Sequence, residues 1–162
     1  QSSAASDVYK RQVKNVGSDV PFFINKQPAT ISGIGENVVN LNDTQPIKII
    51  IAVPKKGLST KEIFEKYDEM KPKNTKKYSW NDISLFNDLW NTSVEIYPEL
   101  NTIKQNLEDR YNKNFFMSGS GSALFSLFEE NEEIEEIDSE EFNLKYFSIT
   151  KKIDCSFSQN DD

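Results

Sequence analysis

The segment Ile47-Lys48-Ile49-Ile50-Ile51-Ala52-Val53 is apolar at both parities except for Lys48, and Pro54 closes it. A strand with one face in water alternates polar and apolar residues, whereas a strand covered on both faces does not. The pattern therefore predicts a central strand, to which the remaining elements must supply neighbours and covering layers. Within it lies the longest aliphatic run of the chain, Ile49 to Val53, far short of the roughly 20 residues a membrane-spanning helix needs.

Upstream, Val20–Ile24, Ala29–Ile34 and Val38–Leu41 are short apolar stretches, separated by Asn25-Lys26-Gln27-Pro28 and by Gly33-Ile34-Gly35-Glu36, and they read as strands. Downstream, three helix starts are expected. Ser59-Thr60-Lys61-Glu62 is a capping box before the stripe Ile63, Phe64, Tyr67 and Met70, which Pro72 ends. Ser79-Trp80-Asn81-Asp82 resembles a second box, ahead of Ile83, Phe86, Trp90 and Val94. Pro98 suits a first helical position, with Glu99 in the positive first turn and Leu100, Ile103, Leu107 and Tyr111 behind it. Asn114–Met117 and Ala123–Phe128 then read as strands, and Tyr146–Ile153 alternates. Strands, then helices, then strands argue for an α+β fold. Residues 1–12, Ser/Ala-rich and aperiodic, read as a tag or assembly scar, and 156–162 as a frayed tail.

The chain contains no histidine and one cysteine, Cys155. Any general base must then be a carboxylate, Lys, Tyr or that single Cys, and neither an internal disulfide nor a thiolate metal cluster can form. Of 26 acidic residues nine fall between Glu129 and Glu141 without a Lys or Arg, so removing them takes the net charge from −7 to +2 for the rest. A near-neutral body with one acidic segment gives no footprint for nucleic acid. The segment reads as a solvated surface helix or loop, since it lacks the spaced ligands of a calcium loop.

Two places can carry chemistry. In Met117-Ser118-Gly119-Ser120-Gly121-Ser122-Ala123, glycines let backbone N–H groups turn toward an anion and serines add hydroxyl donors. The stretch lacks the Gly-Lys-Ser/Thr of a Walker loop and the third glycine of a dinucleotide fingerprint, so a plain connection between strands is the alternative. Asp19, in Gly17-Ser18-Asp19-Val20-Pro21-Phe22-Phe23, is either a turn residue or, in a chain without histidine, a general base.

That last segment, then Gly33-x-Gly35-Glu36, Val53-Pro54 with Ser59-Thr60 and Phe64, Asn87-Asp88-Leu89, Tyr97-Pro98-Glu99-Leu100 and the glycine loop occur in one order. This order resembles the 4-diphosphocytidyl-2-C-methyl-D-erythritol kinase family of the galactokinase, homoserine, mevalonate and phosphomevalonate kinase superfamily, over about Gly17 to Ile153. The resemblance implies an ATP- and Mg²⁺-dependent kinase that phosphorylates the 2-hydroxyl of a small-molecule substrate in isoprenoid precursor synthesis. It would be cytoplasmic in a bacterium, or plastid in a eukaryote, and would have no nucleic-acid or membrane partner. In fold terms it implies the end of a ribosomal-S5-like N-terminal domain over residues 13–45 and a ferredoxin-like C-terminal domain over 46–155.

By residue, the resemblance implies Asp19 as catalytic base, Thr60 and Phe64 on the substrate, and Ser118, Gly119, Ser120, Gly121 and Ser122 on the nucleotide, with no residue assigned to metal. Phe64 is open to a second reading, packing within its helix stripe, and Asn87 and Asp88 read as structural caps. The family's catalytic lysine and main phosphate loop have no counterpart in these 162 residues, so the chain is expected to be a truncated kinase, inactive by itself. The alternatives are another kinase of the superfamily, mevalonate or homoserine kinase first, or a non-catalytic α+β binding module.

Overall fold

A computed structural model describes residues 29–33, 37–40, 47–72, 76–80 and 83–151. Asp19, the stretch Val20–Ile24, residues 1–12 and the tail lie outside them. The chain divides into two compact units, one of residues 1–45 with 153–162 and the other of 46–152. In the first, β1 (Ala29–Ser32) and β2 (Asn37–Asn40) pair antiparallel, with Ala29 opposite Asn40 and Ser32 opposite Asn37. Gly33 follows β1 at φ 73°, a conformation that glycine adopts without steric cost.

The second unit runs β3 (Ile47–Pro54), α1 (Thr60–Met70), β4 (Tyr78–Trp80), β5 (Ile83–Leu85), α2 (Trp90–Ile96), α3 (Glu99–Tyr111), β6 (Phe116–Met117), β7 (Leu124–Glu129) and β8 (Leu144–Lys151). Four strands form an antiparallel sheet in the order β6-β7-β3-β8, so the doubly apolar strand β3 is central. Its Ile50 and Ala52 are fully buried on one face, while Ile49 and Ile51 are half-buried on the other. On the buried face they meet Leu124 and Phe128 of β7 and Leu100, Ile103 and Leu107 of α3, with Phe115 closing the cluster. Each such fully buried side chain stabilises the fold by about 1.5–3 kcal/mol relative to exposure. Phe147 and Ile149 of β8 pack against the same core, opposite Ala52 and Ile50.

Helix α1 begins where its capping residue predicts: the Ser59 side chain accepts from the Glu62 N–H. It ends with Lys71 in the left-handed region, its N–H bonded to the Tyr67 carbonyl, directly before Pro72. Helix α3 starts after Pro98 and buries Leu100, Ile103 and Leu107. No helix among the described residues is long and apolar enough to cross a membrane.

One expected helix start is corrected. Ser79–Asp82 does not cap a helix; Tyr78–Trp80 and Ile83–Leu85 form a hairpin in which Trp80 pairs with Ile83. Both arms alternate with period two and carry the aromatic and branched residues that suit a strand. Tyr78 packs edge-to-face on Phe116 of β6, ring centroids 5.4 Å apart. The helix begins later, at Trp90, where Asn87 accepts from Leu89 N–H through its side chain and from Trp90 N–H through its carbonyl.

The acidic segment links β7 to β8 without forming a helix, as turns and irregular chain. It is strapped down rather than merely solvated: Glu132 pairs with Lys113 at 2.8 Å and Glu135 with Arg110 at 2.6 Å. Tyr111 donates to the Glu135 carbonyl, and Ile134, Ile137 and Phe142 pack against the core. The hydrogen bond from Lys113, followed by one from the Glu129 N–H, holds the Glu132 carboxyl below its ordinary value of 4.5. A carboxyl lowered on folding stabilises the fold above its unfolded pKa, and this contribution is lost as pH falls through the folded value. Glu132→Gln should therefore lower stability to urea at neutral pH, and the gap to wild type should close as pH falls below the carboxylate range. A gap that persists unchanged at low pH would remove the ion pair as its source.

Candidate functional site

The glycine loop connects β6 to β7, and its flanks fix its ends. Met117 pairs with Leu124 in the sheet, Ser118 N–H donates to the Ala123 carbonyl at 2.9 Å, and Gly121 N–H donates to the Ser118 carbonyl at 3.1 Å. Those two bonds close the turn. The N–H groups of Gly119 and Ser120 carry no hydrogen bond among the described residues. Gly119 and Gly121 both have positive φ, 56° and 93°.

The two glycines do different work. A Cβ on Gly119 would meet nothing within 4 Å, so the space above it is open. A Cβ on Gly121 would lie 2.8 Å from Met117 Sδ and 2.9 Å from Leu58 Cδ1. Gly119 therefore faces free space that an anion can enter, while Gly121 lets the loop lie against the protein. Of the two glycines expected at the nucleotide, only Gly119 has open space above it. The serines divide similarly. Ser118 is exposed and Ser120 half-buried, but Ser122 is 5% exposed and its hydroxyl donates inward to the Lys56 carbonyl at 2.7 Å.

Two elements converge on the loop. Thr60, the first residue of α1, meets Ser120 hydroxyl to hydroxyl at 2.8 Å, which sets the positive end of α1 beside the free amides. Phe64, one turn further along the same helix, is 52% exposed; Ile63 beside it takes the core position at 0%. Packing in the helix stripe, the second reading for Phe64, is thereby corrected: its ring is available at the surface on the Thr60 side of α1. Asn87 donates to the carbonyls of Met117 and Gly119, 2.8 Å each. Asn87 is thus more than a cap, and this reach of 30 and 32 residues has no local sequence signature. The Lys56 carbonyl was equally invisible, since a backbone oxygen carries no residue signal.

The arrangement can receive an anion of phosphate type: two free amides, hydroxyls of Ser118, Ser120 and Thr60, a helix start, and open space above Gly119. It brings Thr60 together with Ser118–Ser120 and sets Phe64 one helical turn away, while Asp19 lies outside the described residues. Among the described residues no three of His, Cys, Asp and Glu gather as a metal site. The loop thus suits an anion of phosphate type rather than a cation held by carboxylates.

Comparison with known proteins gives this geometry a family. Residues 76–140 match the GHMP kinase C-terminal family model. A 4-diphosphocytidyl-2-C-methyl-D-erythritol kinase from Protochlamydia amoebophila is 38% identical over 114 residues, covering 69% of this chain and 40% of the relative. A protein of the same name from Clostridium acetobutylicum is 28% identical over 170 residues, covering 92% and 58%. The crystal structure of a 4-(cytidine 5'-diphospho)-2C-methyl-D-erythritol kinase superposes with a TM-score of 0.54 at 21% identity, over 74% of this chain and 47% of that one, which is a likeness of fold. The chain spans about two fifths to three fifths of the length of these curated relatives. It belongs to the GHMP kinases and carries that family's C-terminal region.

Proposed function

We propose that a protein carrying this chain transfers the γ-phosphoryl group of ATP to the 2-hydroxyl of 4-diphosphocytidyl-2-C-methyl-D-erythritol, a step of isoprenoid precursor synthesis. The observation that carries the reading is the open loop at Gly119, with its two unengaged amides next to Thr60. The names of the curated relatives support the substrate. Residues 13–45 then end an S5-like N-terminal domain. Residues 46–155 then form a ferredoxin-like domain, a reading supported by the strand order β6-β7-β3-β8, with the acidic strap in place of its second crossover helix. The same reading puts the protein in a bacterial cytoplasm or a plastid.

Phosphoryl transfer asks a protein for position and charge neutralisation more than for covalent chemistry. The amides of Gly119 and Ser120 would hold phosphate oxygens, and Ser118 would add a hydroxyl. Thr60 and Phe64, on one side of α1, would seat the substrate, with the ring offering its face to the cytosine. Asp19 would accept the proton of the attacking hydroxyl. Mg²⁺ would neutralise charge on the β- and γ-phosphate oxygens when it arrives with ATP.

Steady-state kinetics test the reading, in an enzyme made by joining this chain to the amino-terminal portion of the Protochlamydia amoebophila relative. With ATP and the cytidyl substrate, the joined enzyme should turn over, and Phe64→Ala should raise substrate KM. Loss of a stacking platform costs on the order of 1–3 kcal/mol, or roughly tenfold and upward. The Tm should hardly move, because the ring is 52% exposed. Absence of transfer to this substrate, with transfer to another alcohol, would replace the substrate assignment; an unchanged KM would take Phe64 off the site.

A further inference from the structure

Asn87 stands between β5 and α2, and all three of its side-chain hydrogen bonds are directional. Its Nδ2 donates to the Met117 and Gly119 carbonyls, while its Oδ1 accepts from Leu89 N–H at 2.9 Å. The two carbonyls can only accept and the amide N–H can only donate, so the carboxamide has one possible orientation. Asp could supply the acceptor but neither donor, and an aliphatic residue neither.

What this fork fixes is the direction of two peptide planes. In a planar trans peptide, the carbonyl of one residue and the N–H of the next point opposite ways. Anchoring the Met117 carbonyl sends Ser118 N–H the other way, and there it meets the Ala123 carbonyl. Anchoring the Gly119 carbonyl likewise turns the Ser120 N–H away from Asn87, and this is one of the two amides the loop leaves unengaged. A glycine at 119 makes that plane easy to flip, so without an anchor the amide would not keep one direction.

We propose that Asn87 is a positioning residue: it aims the Ser120 N–H at the phosphate that the glycine loop receives. This rests on the reading of the loop as a phosphate site, and it adds the residue that gives the loop its shape. The capping function and the clamp are separable by chemistry. Asn87→Asp keeps an oxygen for Leu89 N–H, Asp being as good a helix cap as Asn. It loses both donors and sets a carboxylate against two carbonyl oxygens. Asn87→Ser also keeps a capping oxygen, brings no charge, and is too short to bridge two carbonyls.

The test is amide exchange and pyrophosphate titration by NMR on the full 162-residue chain and the two variants. In both variants, exchange at Ser118 and Gly121, whose amides close the loop, should quicken about tenfold or more, while Ser93 within α2 keeps its wild-type rate. The Ser120 amide should shift on titration with pyrophosphate in wild type and require about tenfold more of it in the variants. If exchange at Ser118 and Gly121 matches wild type in whichever variant folds, Asn87 is a cap and the proposal is overturned. If exchange quickens but pyrophosphate moves no loop amide even in wild type, the clamp stands and the phosphate reading is what fails.

Discussion

Gly121→Val should destabilise the 46–152 unit by about 3 kcal/mol or more, lowering its Tm by some 10–20 °C. Two costs combine. The backbone at Gly121 has φ 93°, a region that a β-branched residue scarcely enters. The added Cβ would also sit 2.8 Å from Met117 Sδ and 2.9 Å from Leu58 Cδ1. Met117 is itself 4% exposed and Leu58 packs against the core, so neither can swing out into water. Gly119→Ala is the informative contrast. Its Cβ enters open space, and its φ of 56° costs a side chain about 1–2 kcal/mol, so the fold should survive. Nucleotide affinity should nevertheless fall in Gly119→Ala, because a methyl group then occupies the approach to the free amides. Thermal melts with nucleotide titrations separate the two positions. Equal Tm losses in both variants, with no change in affinity, would reduce the loop to a connection between strands.

That contrast marks the limit of what the residues alone disclose. The glycine loop is legible as a loop because its flanks are apolar and its interior is Gly and Ser. Which glycine has open space above it depends on Leu58, distant in sequence, and is settled only by packing. The central strand, the Ser59 cap and the Pro98 start are legible because each is written in adjacent residues. The hairpin at Tyr78–Leu85 was misread because Ser79 and Asp82 have the spacing of a capping box while the period-two pattern of the same residues is short. Phe64 shows the same limit inside a helix. Ile63 and Phe64 are neighbours on the helical wheel, and periodicity cannot choose which one the core takes; the structure buries Ile63.

The acidic segment extends the point to charge. Composition foresaw its exposure, but not that Lys113, Arg110 and Tyr111 at the end of α3 would tie it down. These partners are 19 to 25 residues away. A connection that crosses from β7 to β8 past the central strand must cover part of the sheet, and usually a helix does so. Here clustered like charges would repel along a helix face. An irregular strap, with Ile134, Ile137 and Phe142 turned to the core and carboxylates paired outward, covers the same ground.

The largest effect on chemistry is expected at Asp19. In the joined enzyme described above, Asp19→Asn should reduce kcat by about 10²–10⁴-fold, the usual cost of removing a general base. Elimination narrows the candidates: the chain has no histidine, and the resemblance to the kinase family aligns Asp19 with its proton acceptor. Asn has nearly the same shape and can still serve as a turn or cap residue, so a structural role predicts little change in rate. A carboxylate that takes the hydroxyl proton makes two further demands. The KM for ATP should stay near wild type, since the lost interaction belongs to the acceptor side. The acid limb of the kcat profile should disappear along with the group whose ionisation produces it. Substrate KM and kcat must therefore be followed across pH in both proteins. A variant with wild-type kcat and an intact acid limb would return Asp19 to the turn and require the proton to leave by another carboxylate.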